Sequence, residues 1–157
     1  MQRITPCLWF DGRAEEAAEF YTTIFKDSKV GKIARYGESG PGTPGSVMTV
    51  TFELAGQEFM GLNGGPQFHF SPAISFVVHC KNQRQVDYYW DRLIEGGAPS
   101  QCGWLTDKFG VSWQIVPTAL IRMLGDKDHR KASRVMKAML KMIKLDLPLL
   151  QRAYRGV

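Results

Sequence analysis

The side chains that could carry out chemistry are few and lie far apart in the 157 residues. The histidines form no recognisable ligand pair, and the odd number of cysteines, without CxxC spacing, argues against a disulfide framework or a structural zinc site. We therefore expect free, buried or half-buried thiols, with a reactive nucleophile as the alternative, and no cofactor. The residues concerned are His69, His79, His129, Cys7, Cys80 and Cys102.

One glycine-rich stretch, residues 40–45, matches the pattern G-x-G-x-x-G. Phosphate binding by such a motif requires a preceding strand and a helix that opens within the motif. Here Pro44 and Gly45 lead into a run of strand-forming residues, so there is no helix N-terminus to hold an anion. The stretch predicts a mobile hairpin loop and is a candidate lid.

The apolar pattern predicts the same order of elements twice: strand, helix, then three strands. Each half closes on a hairpin, the first with a turn at Ala55 and Gly56, the second with a turn at residues 108–110. Asp11 is the expected N-cap of the first helix and Asn82 that of the second. The predicted fold is α+β, with two βαβββ modules forming an incomplete barrel-like mixed sheet. The expected segments are residues 1–63, a linker 64–72, residues 73–117 and a helical tail 118–157.

The positive charge is concentrated in the tail. Residues 118–157 carry ten basic and three acidic side chains, whereas residues 1–117 carry ten basic and twelve acidic ones. Residues 128–143 predict one long amphipathic helix, whose basic residues form a solvated face without interleaved aromatics. We expect its apolar face to pack on the sheet or on a second subunit. Its members are Ala132, Val135, Met136, Met139, Leu140 and Ile143.

The sequence also indicates where the protein works and with what partners. No apolar run approaches the roughly 20 residues that cross a bilayer, and the N-terminus has no signal-peptide layout. We expect a cytoplasmic protein with no membrane and no nucleic-acid partner. Cupped sheets with open edges are normally covered, which predicts a homodimer.

Three segments resemble one known family. Residues 10–21 are similar to the first strand–helix junction of the vicinal oxygen chelate superfamily, which includes glyoxalase I, bleomycin-resistance proteins and extradiol dioxygenases. Residues 106–114 resemble its closing D-x-F-G-x-x-W turn. Residues 132–146 resemble the PhnB-like branch, often labelled demethylubiquinone methyltransferase. The resemblance implies two βαβββ modules around one cavity.

In metal-using members of that superfamily, each half supplies a histidine near the start of its first strand and a glutamate in its last strand. The corresponding positions here carry no imidazole and no carboxylate. The resemblance therefore implies a cavity that holds no metal. The four positions are Thr5, Met60, Ser75 and Gln114.

The function predicted on this basis is metal-independent binding of a small molecule, as in glyoxalase or bleomycin-resistance proteins. The alternative is an enzyme, a lyase, isomerase or demethylubiquinone methyltransferase-like transferase, that acts on a small oxygenated substrate in the same cavity. No catalytic residue is assigned. The expected ligand-binding residues are Thr5, Cys7, Trp9, Met60, Asn63, Ser75, His79 and Gln114.

Overall fold

A computed structural model describes residues 2–157. The chain divides into two compact units, the first ending at Phe70 and the second spanning Ser71–Val157. Each unit contains one βαβββ module with its own four-stranded mixed sheet. The predicted α+β class and the repeated order of elements are therefore confirmed.

The first unit contains four strands and one helix. In its sheet the strand order is β1-β4-β3-β2, with β1 parallel to β4 and the other pairs antiparallel. The predicted hairpin turn is present, and both Ala55 and Gly56 have positive φ, as a two-residue hairpin loop requires. The elements are β1 (Cys7–Phe10), α1 (Ala14–Ile24), β2 (Lys29–Arg35), β3 (Val47–Leu54) and β4 (Gln57–Asn63).

Aromatic packing fills the space between α1 and this sheet. Tyr21 and Phe52 are 0% and 1% exposed, and their ring centroids lie 6.1 Å apart. Phe52 in turn stacks on Phe59 with centroids 5.5 Å apart. Three alanines at helical spacing, Ala14, Ala17 and Ala18, are fully buried. Small side chains on the helix let it approach the large rings on the sheet, so apolar burial holds this unit together.

The start of α1 differs from the expectation. Asp11 does not cap the helix; the N-cap position is Arg13, which makes no side-chain cap hydrogen bond. The backbone N–H of Ala14 instead donates to Asn63 Oδ1 at 2.9 Å. A residue at the end of β4 therefore satisfies the helix start, in place of a local cap.

The second unit repeats the module and adds the tail. In its sheet the strand order is β5-β8-β7-β6, with β5 parallel to β8. Asn82 caps the second helix as predicted, accepting from the backbone N–H of Gln85 at 2.9 Å. The elements are β5 (Ser75–Cys80), α2 (Gln83–Leu93), β6 (Ala98–Pro99), β7 (Trp104–Thr106), β8 (Ser112–Pro117), α3 (Thr118–Leu124), α4 (His129–Met139) and α5 (Leu147–Arg155).

A buried carboxylate holds the closing turn between β7 and β8. Asp107 is only 3% exposed. Its Oδ1 accepts from the backbone N–H groups of Phe109 and Val111, at 2.8 and 3.0 Å. Its Oδ2 accepts from the indole N–H of Trp113 at 2.9 Å. Charge-assisted bonds of this kind compensate the desolvation of the carboxylate, so the Asp and Trp of the turn motif act as structural residues.

The tail helices pack on the end of β8 around their own apolar cluster. The predicted long helix is shorter than expected and ends at Met139. Beyond it, the backbone carbonyls of Met142 and Ile143 accept from Cys102 and Gly103, which draws the chain away from the helix axis. The buried residues of the cluster are Val116, Leu120, Met123, Val135, Leu145, Leu147 and Leu150.

The predicted apolar stripe of the tail is only partly covered. Val135 is fully buried, but Met136, Leu140 and Ile143 are 40%, 59% and 55% exposed. The packing partners of α4 are α3 and α5. Gln83 ties this tail to α2, donating to the carbonyl of Leu145 and accepting from the N–H of Leu147.

Candidate functional site

Three of the predicted ligand-binding residues share one face of the first sheet. The parallel register pairs Cys7 with Met60 and Trp9 with Leu62. Since side chains alternate along a strand, Cys7, Trp9 and Met60 point to the side opposite buried Leu8. We call Cys7, Trp9, Met60 and Leu62 the first sheet face.

Trp9 has a structural task on this face. Its indole N–H donates to the carbonyl of Gly65 at 2.8 Å, and Phe68 packs edge-on with ring centroids 4.9 Å apart. A Cβ on Gly64 would lie 2.4 Å from the indole ring, so only glycine allows the linker to run this close. Trp9 therefore holds the linker in place and is also part of the first sheet face.

Thr5 and Cys7 lie at the start of this face. Thr5 precedes β1 and is half-buried, while Cys7 is exposed. Partial burial nevertheless raises the pKa of the Cys7 thiol above its ordinary value. The thiol is therefore protonated at neutral pH, which suits a weak hydrogen-bond donor better than a nucleophile.

Asn63 lies on the other side of the sheet from Met60. Besides accepting from Ala14, its amide Nδ2 donates to the carbonyl of Val47 at 3.2 Å. Its own carbonyl accepts from the hydroxyl of Tyr36 at 2.6 Å. The register of β3 and β4 is regular here, so no bulge returns Asn63 to the first sheet face.

The second unit brings together Ser75, His79 and Gln114. Strand β5 runs parallel to β8, with Val77 opposite Gln114 and Ser75 two residues earlier on the same face. The amide Nε2 of Gln114 donates to Ser75 Oγ at 2.9 Å. His79 is exposed and follows Val77 on this side. We call Ser75, Val77, His79 and Gln114 the second sheet face.

The two sheets place equivalent positions in the same register. Met60 lies opposite Cys7 in the first sheet, as Gln114 lies opposite Val77 in the second. Thr5 lies two residues before Cys7, and Ser75 lies two residues before Val77. The assignment of these four positions to the superfamily's metal ligands stays a prediction from the resemblance.

These residues do not fit a divalent metal ion. Their donors are two hydroxyls, a thioether and a neutral amide, none of which supplies negative charge to a divalent ion. The hydroxyl of Ser75 already accepts a hydrogen bond from Gln114 Nε2. Within residues 2–157, no group of three or more His, Cys, Asp or Glu side chains is placed to hold a metal.

A cleft in the first unit lies away from the predicted residues, with the exception of Asn63. Its volume is about 520 Å³, and the loop between β2 and β3 forms one wall. The glycine-rich stretch at 40–45 contributes to this cleft. The sequence pattern identifies the stretch as a loop but does not predict where the loop packs. The lining residues are Asp11, Gly12, Glu15, Tyr36, Pro41, Gly42, Thr43, Ser46, Val47, Asn63, Gly64, Gly65, Pro66 and Gln67.

Comparison with known proteins identifies the family. Residues 2–116 match the family model for 3-demethylubiquinone-9 3-methyltransferase. The chain belongs to this PhnB-like family. The PhnB protein of Bacillus cereus is 41% identical, with a TM-score of 0.67, and the match covers 74% of this chain and 99% of that one. The predicted resemblance to the PhnB-like branch is confirmed.

More distant structures share the fold. A protein from Pseudomonas aeruginosa is 19% identical with a TM-score of 0.62, over 74% of this chain and 98% of that one. The fosfomycin resistance protein FosX of Listeria monocytogenes, in a complex with Mn(II) and sulfate, is 16% identical with a TM-score of 0.51, over 73% and 89%. No functionally curated protein matches the chain. These likenesses place the PhnB-like chain in the vicinal oxygen chelate fold.

The expectation of no membrane partner can be compared with the lengths and apolar character of the helices. Across residues 2–157, none of them has both the length and the apolar character to cross a bilayer. Cytoplasmic location stays a prediction.

Proposed function

We propose that this PhnB-like protein binds a small oxygenated organic molecule without a metal ion. The observation that carries the proposal is the Gln114–Ser75 hydrogen bond of 2.9 Å at two positions where metal-using members of the superfamily are expected to carry ligands. An amide and a hydroxyl together offer both donors and acceptors, which suit carbonyl, hydroxyl or ether oxygens. Proteins of this fold family are small-molecule binders, which agrees with the proposal.

The first sheet face supplies the apolar part of the proposed site. Met60 contributes a flexible thioether, Trp9 an indole edge and Leu62 an aliphatic surface, all half-buried. Ligand sites are commonly apolar with a few placed polar groups; the first sheet face is mainly apolar, and the second carries the polar side chains. That both faces serve one ligand in one cavity stays a prediction from the resemblance.

A binding titration tests the proposal on the whole chain. The probe is 2,3-dimethoxy-5-methyl-1,4-benzoquinone, an oxygenated ring related to the substrate in the family's name. Replacing Gln114 by Ala should weaken binding about tenfold, the effect of losing one or two hydrogen bonds. Gln101→Ala, an exposed glutamine outside both faces, is the matched control. Equal affinity of both variants would remove Gln114 from the site.

Metal independence needs a separate experiment. The purified protein should contain no stoichiometric zinc, manganese, iron or nickel by elemental analysis, and EDTA should not change its Tm. Restoring the superfamily's ligand types should create measurable affinity for Mn(II). About one metal per chain in the unmodified protein would overturn the proposal. The restoring substitutions are Thr5→His, Met60→Glu, Ser75→His and Gln114→Glu.

A second candidate is catalysis on the same molecule, which the family's name favours. A methyl transfer requires a donor such as S-adenosylmethionine, yet the G-x-G-x-x-G stretch connects two strands and opens no helix. A lyase or isomerase reaction makes no such demand. Calorimetry with S-adenosylmethionine separates the variants, because saturable binding would favour the transferase.

We also propose that the protein is a homodimer. All seven residues of β2 are exposed, and β2 is the last strand of the first sheet, with β3 as its neighbour on one side. Exposed strand edges are normally covered in native proteins, and Val30 and Ile33 add apolar surface there. Sedimentation equilibrium should show two copies at micromolar concentration. A monomer throughout that range would contradict the proposal.

A further inference from the structure

The cleft in the first unit is a candidate site separate from the first sheet face. Three segments form its walls: the turn before α1, the loop between β2 and β3, and the end of β4 with the following linker. Thr5, Cys7, Trp9 and Met60 do not line it. We call this the loop cleft.

Close packing fixes the loop wall. The ring of Tyr36 lies between Gly40 and Gly42, where added Cβ atoms would come within 3.0 and 2.4 Å of ring carbons. The backbone of Tyr36 also bonds twice across the loop, to Ser46 and Gly45, both at 2.8 Å. Its hydroxyl reaches the carbonyl of Asn63 at 2.6 Å. Tyr36 therefore holds the glycine-rich stretch in place as one wall of the loop cleft. A wall fixed in this way is expected of a binding cleft that is formed before the ligand binds.

Polar groups of the loop cleft are available to a ligand. Within residues 2–157, neither Asp11 nor Glu15 makes an ion pair or a side-chain hydrogen bond, in contrast to Glu16, which pairs with Arg13 at 2.6 Å. The lining of the loop cleft contains no Lys, Arg or His. The charged side chains of the lining are therefore both negative.

Neutral hydrogen-bonding groups complete the lining. The Thr43 hydroxyl and the Gln67 amide also make no side-chain hydrogen bond within residues 2–157. The apolar side chains are small, namely Val47 and two prolines, and the Tyr36 ring packs against Gly40 and Gly42 of the loop. The loop cleft consequently favours a hydroxyl-bearing molecule over a flat aromatic one.

We propose that the loop cleft binds a small amine that carries hydroxyl groups, such as an amino sugar or amino cyclitol. Ammonium groups pair with carboxylates through charge-assisted hydrogen bonds, and hydroxyls suit Thr43 and Gln67. Anions are disfavoured because two carboxylates would repel them without a compensating cation.

The experiment titrates the full chain with 2-deoxystreptamine, a cyclitol with two amino and three hydroxyl groups, and follows backbone amide resonances. Myo-inositol, a similar ring without amino groups, is the matched probe. The amine should produce saturable shifts at residues of the loop cleft, and inositol should bind at least about tenfold more weakly, as expected for loss of charged pairs. Equal binding of both probes, or no saturable shift with the amine, would overturn the proposal.

Four variants locate the binding. Glu15→Gln should weaken amine binding about tenfold, whereas Glu19→Gln removes the same charge from the same helix outside the loop cleft and should change it little. Equal losses would show long-range attraction and no site.

Gly42→Ala should weaken binding as well, because the new methyl group collides with the Tyr36 ring and displaces the wall. Unchanged affinity would contradict the role of the wall. Met60→Ala should leave amine binding unchanged, so this site and the proposed quinone site fail independently.

Discussion

The two modules follow the same order of strands and helix, and both bury apolar side chains, but within residues 2–157 only the second adds a buried carboxylate. In the first, α1 lies on a row of stacked rings, with Phe52 between Tyr21 and Phe59. In the second, the buried carboxylate of Asp107 holds the turn between β7 and β8, and the helices after β8 cover the end of that strand. In the second module, too, α2 buries Val86, Trp90 and Leu93, so the repeated topology goes with apolar packing in both modules and the polar turn is specific to the second.

The strongest test of this comparison removes the central ring of the first module. Phe52→Ala should lower the free energy of unfolding by about 3–5 kcal/mol, since it leaves a cavity among fully buried side chains. Urea denaturation followed by circular dichroism measures the loss. Val30→Ala, on the exposed edge strand, should cost less than about 1 kcal/mol. A small loss for Phe52→Ala would show that the stack is not the main source of stability.

The polar counterpart in the second module is Asp107. Its replacement by Ala should cost about 2–4 kcal/mol, because two backbone N–H groups and one indole N–H lose their acceptor. Asp107→Asn keeps one acceptor oxygen and should fall between Ala and the natural residue. Asp91→Ala, at an exposed position of α2, serves as the control. If the Asn variant were as stable as the natural protein, the second oxygen would have no role.

The buried thiol of the second module gives a pH-dependent contrast with the exposed thiol of the first. Burial raises the pKa of Cys80 to about 11, with a smaller opposing effect from a backbone hydrogen bond at Val116. Because the pKa of the Cys80 thiol in the folded state is above the unfolded value of about 9, the folded state keeps the thiol proton to a higher pH. Stability is full below pH 9 and falls as the pH rises towards 11.

Unfolding measured from pH 8 to 11 should show a loss of roughly 2 kcal/mol that is absent in Cys80→Ala. In the native protein a disulfide reagent should label Cys7 and spare Cys80, since Cys7 is exposed and Cys80 is fully buried. An identical pH slope in the alanine variant would assign the loss to other groups.

The smallest expected effect concerns the helix starts. Asn82 caps α2 locally with one hydrogen bond, whereas Asn63 binds both Ala14 and Val47 from a distant strand. Asn82→Ala should cost about 1 kcal/mol, and Asn63→Ala up to about 2 kcal/mol. Thermal denaturation of both variants checks this order. A larger loss at Asn82 would contradict the view that the distant amide links three elements.

The parts of the fold that the sequence predicts well depend on local chemistry. The turn at Ala55 and Gly56 and the cap at Asn82 are determined by residues next to them, so pattern alone identifies them. The start of α1 is different, because its hydrogen-bond acceptor is 49 positions away. Likewise, α4 ends where its following carbonyls bond to Cys102 and Gly103, which no helical periodicity reveals.

The same distinction applies to the candidate site. Strand alternation correctly predicts that Cys7 and Trp9 share a face, because the period of two is a property of the strand itself, whereas Met60 joins them through the register of β1 and β4. The hydrogen bond between Ser75 and Gln114 requires the register of two strands, which the repeat supplies. The loop cleft escapes prediction since it depends on how a glycine-rich loop packs on Tyr36.

The two bonds of the Asn63 amide have a consequence for tolerance to insertions and deletions. A deletion within β4 would shift Asn63 by one position, turn its side chain to the other face and release both α1 and β3. Chimeras that exchange the β3–β4 hairpin between relatives should therefore keep the length of β4 and carry this asparagine with it. Variation in length is better accommodated between Gly37 and Ser46, where the chain is mostly exposed and outside the ladder.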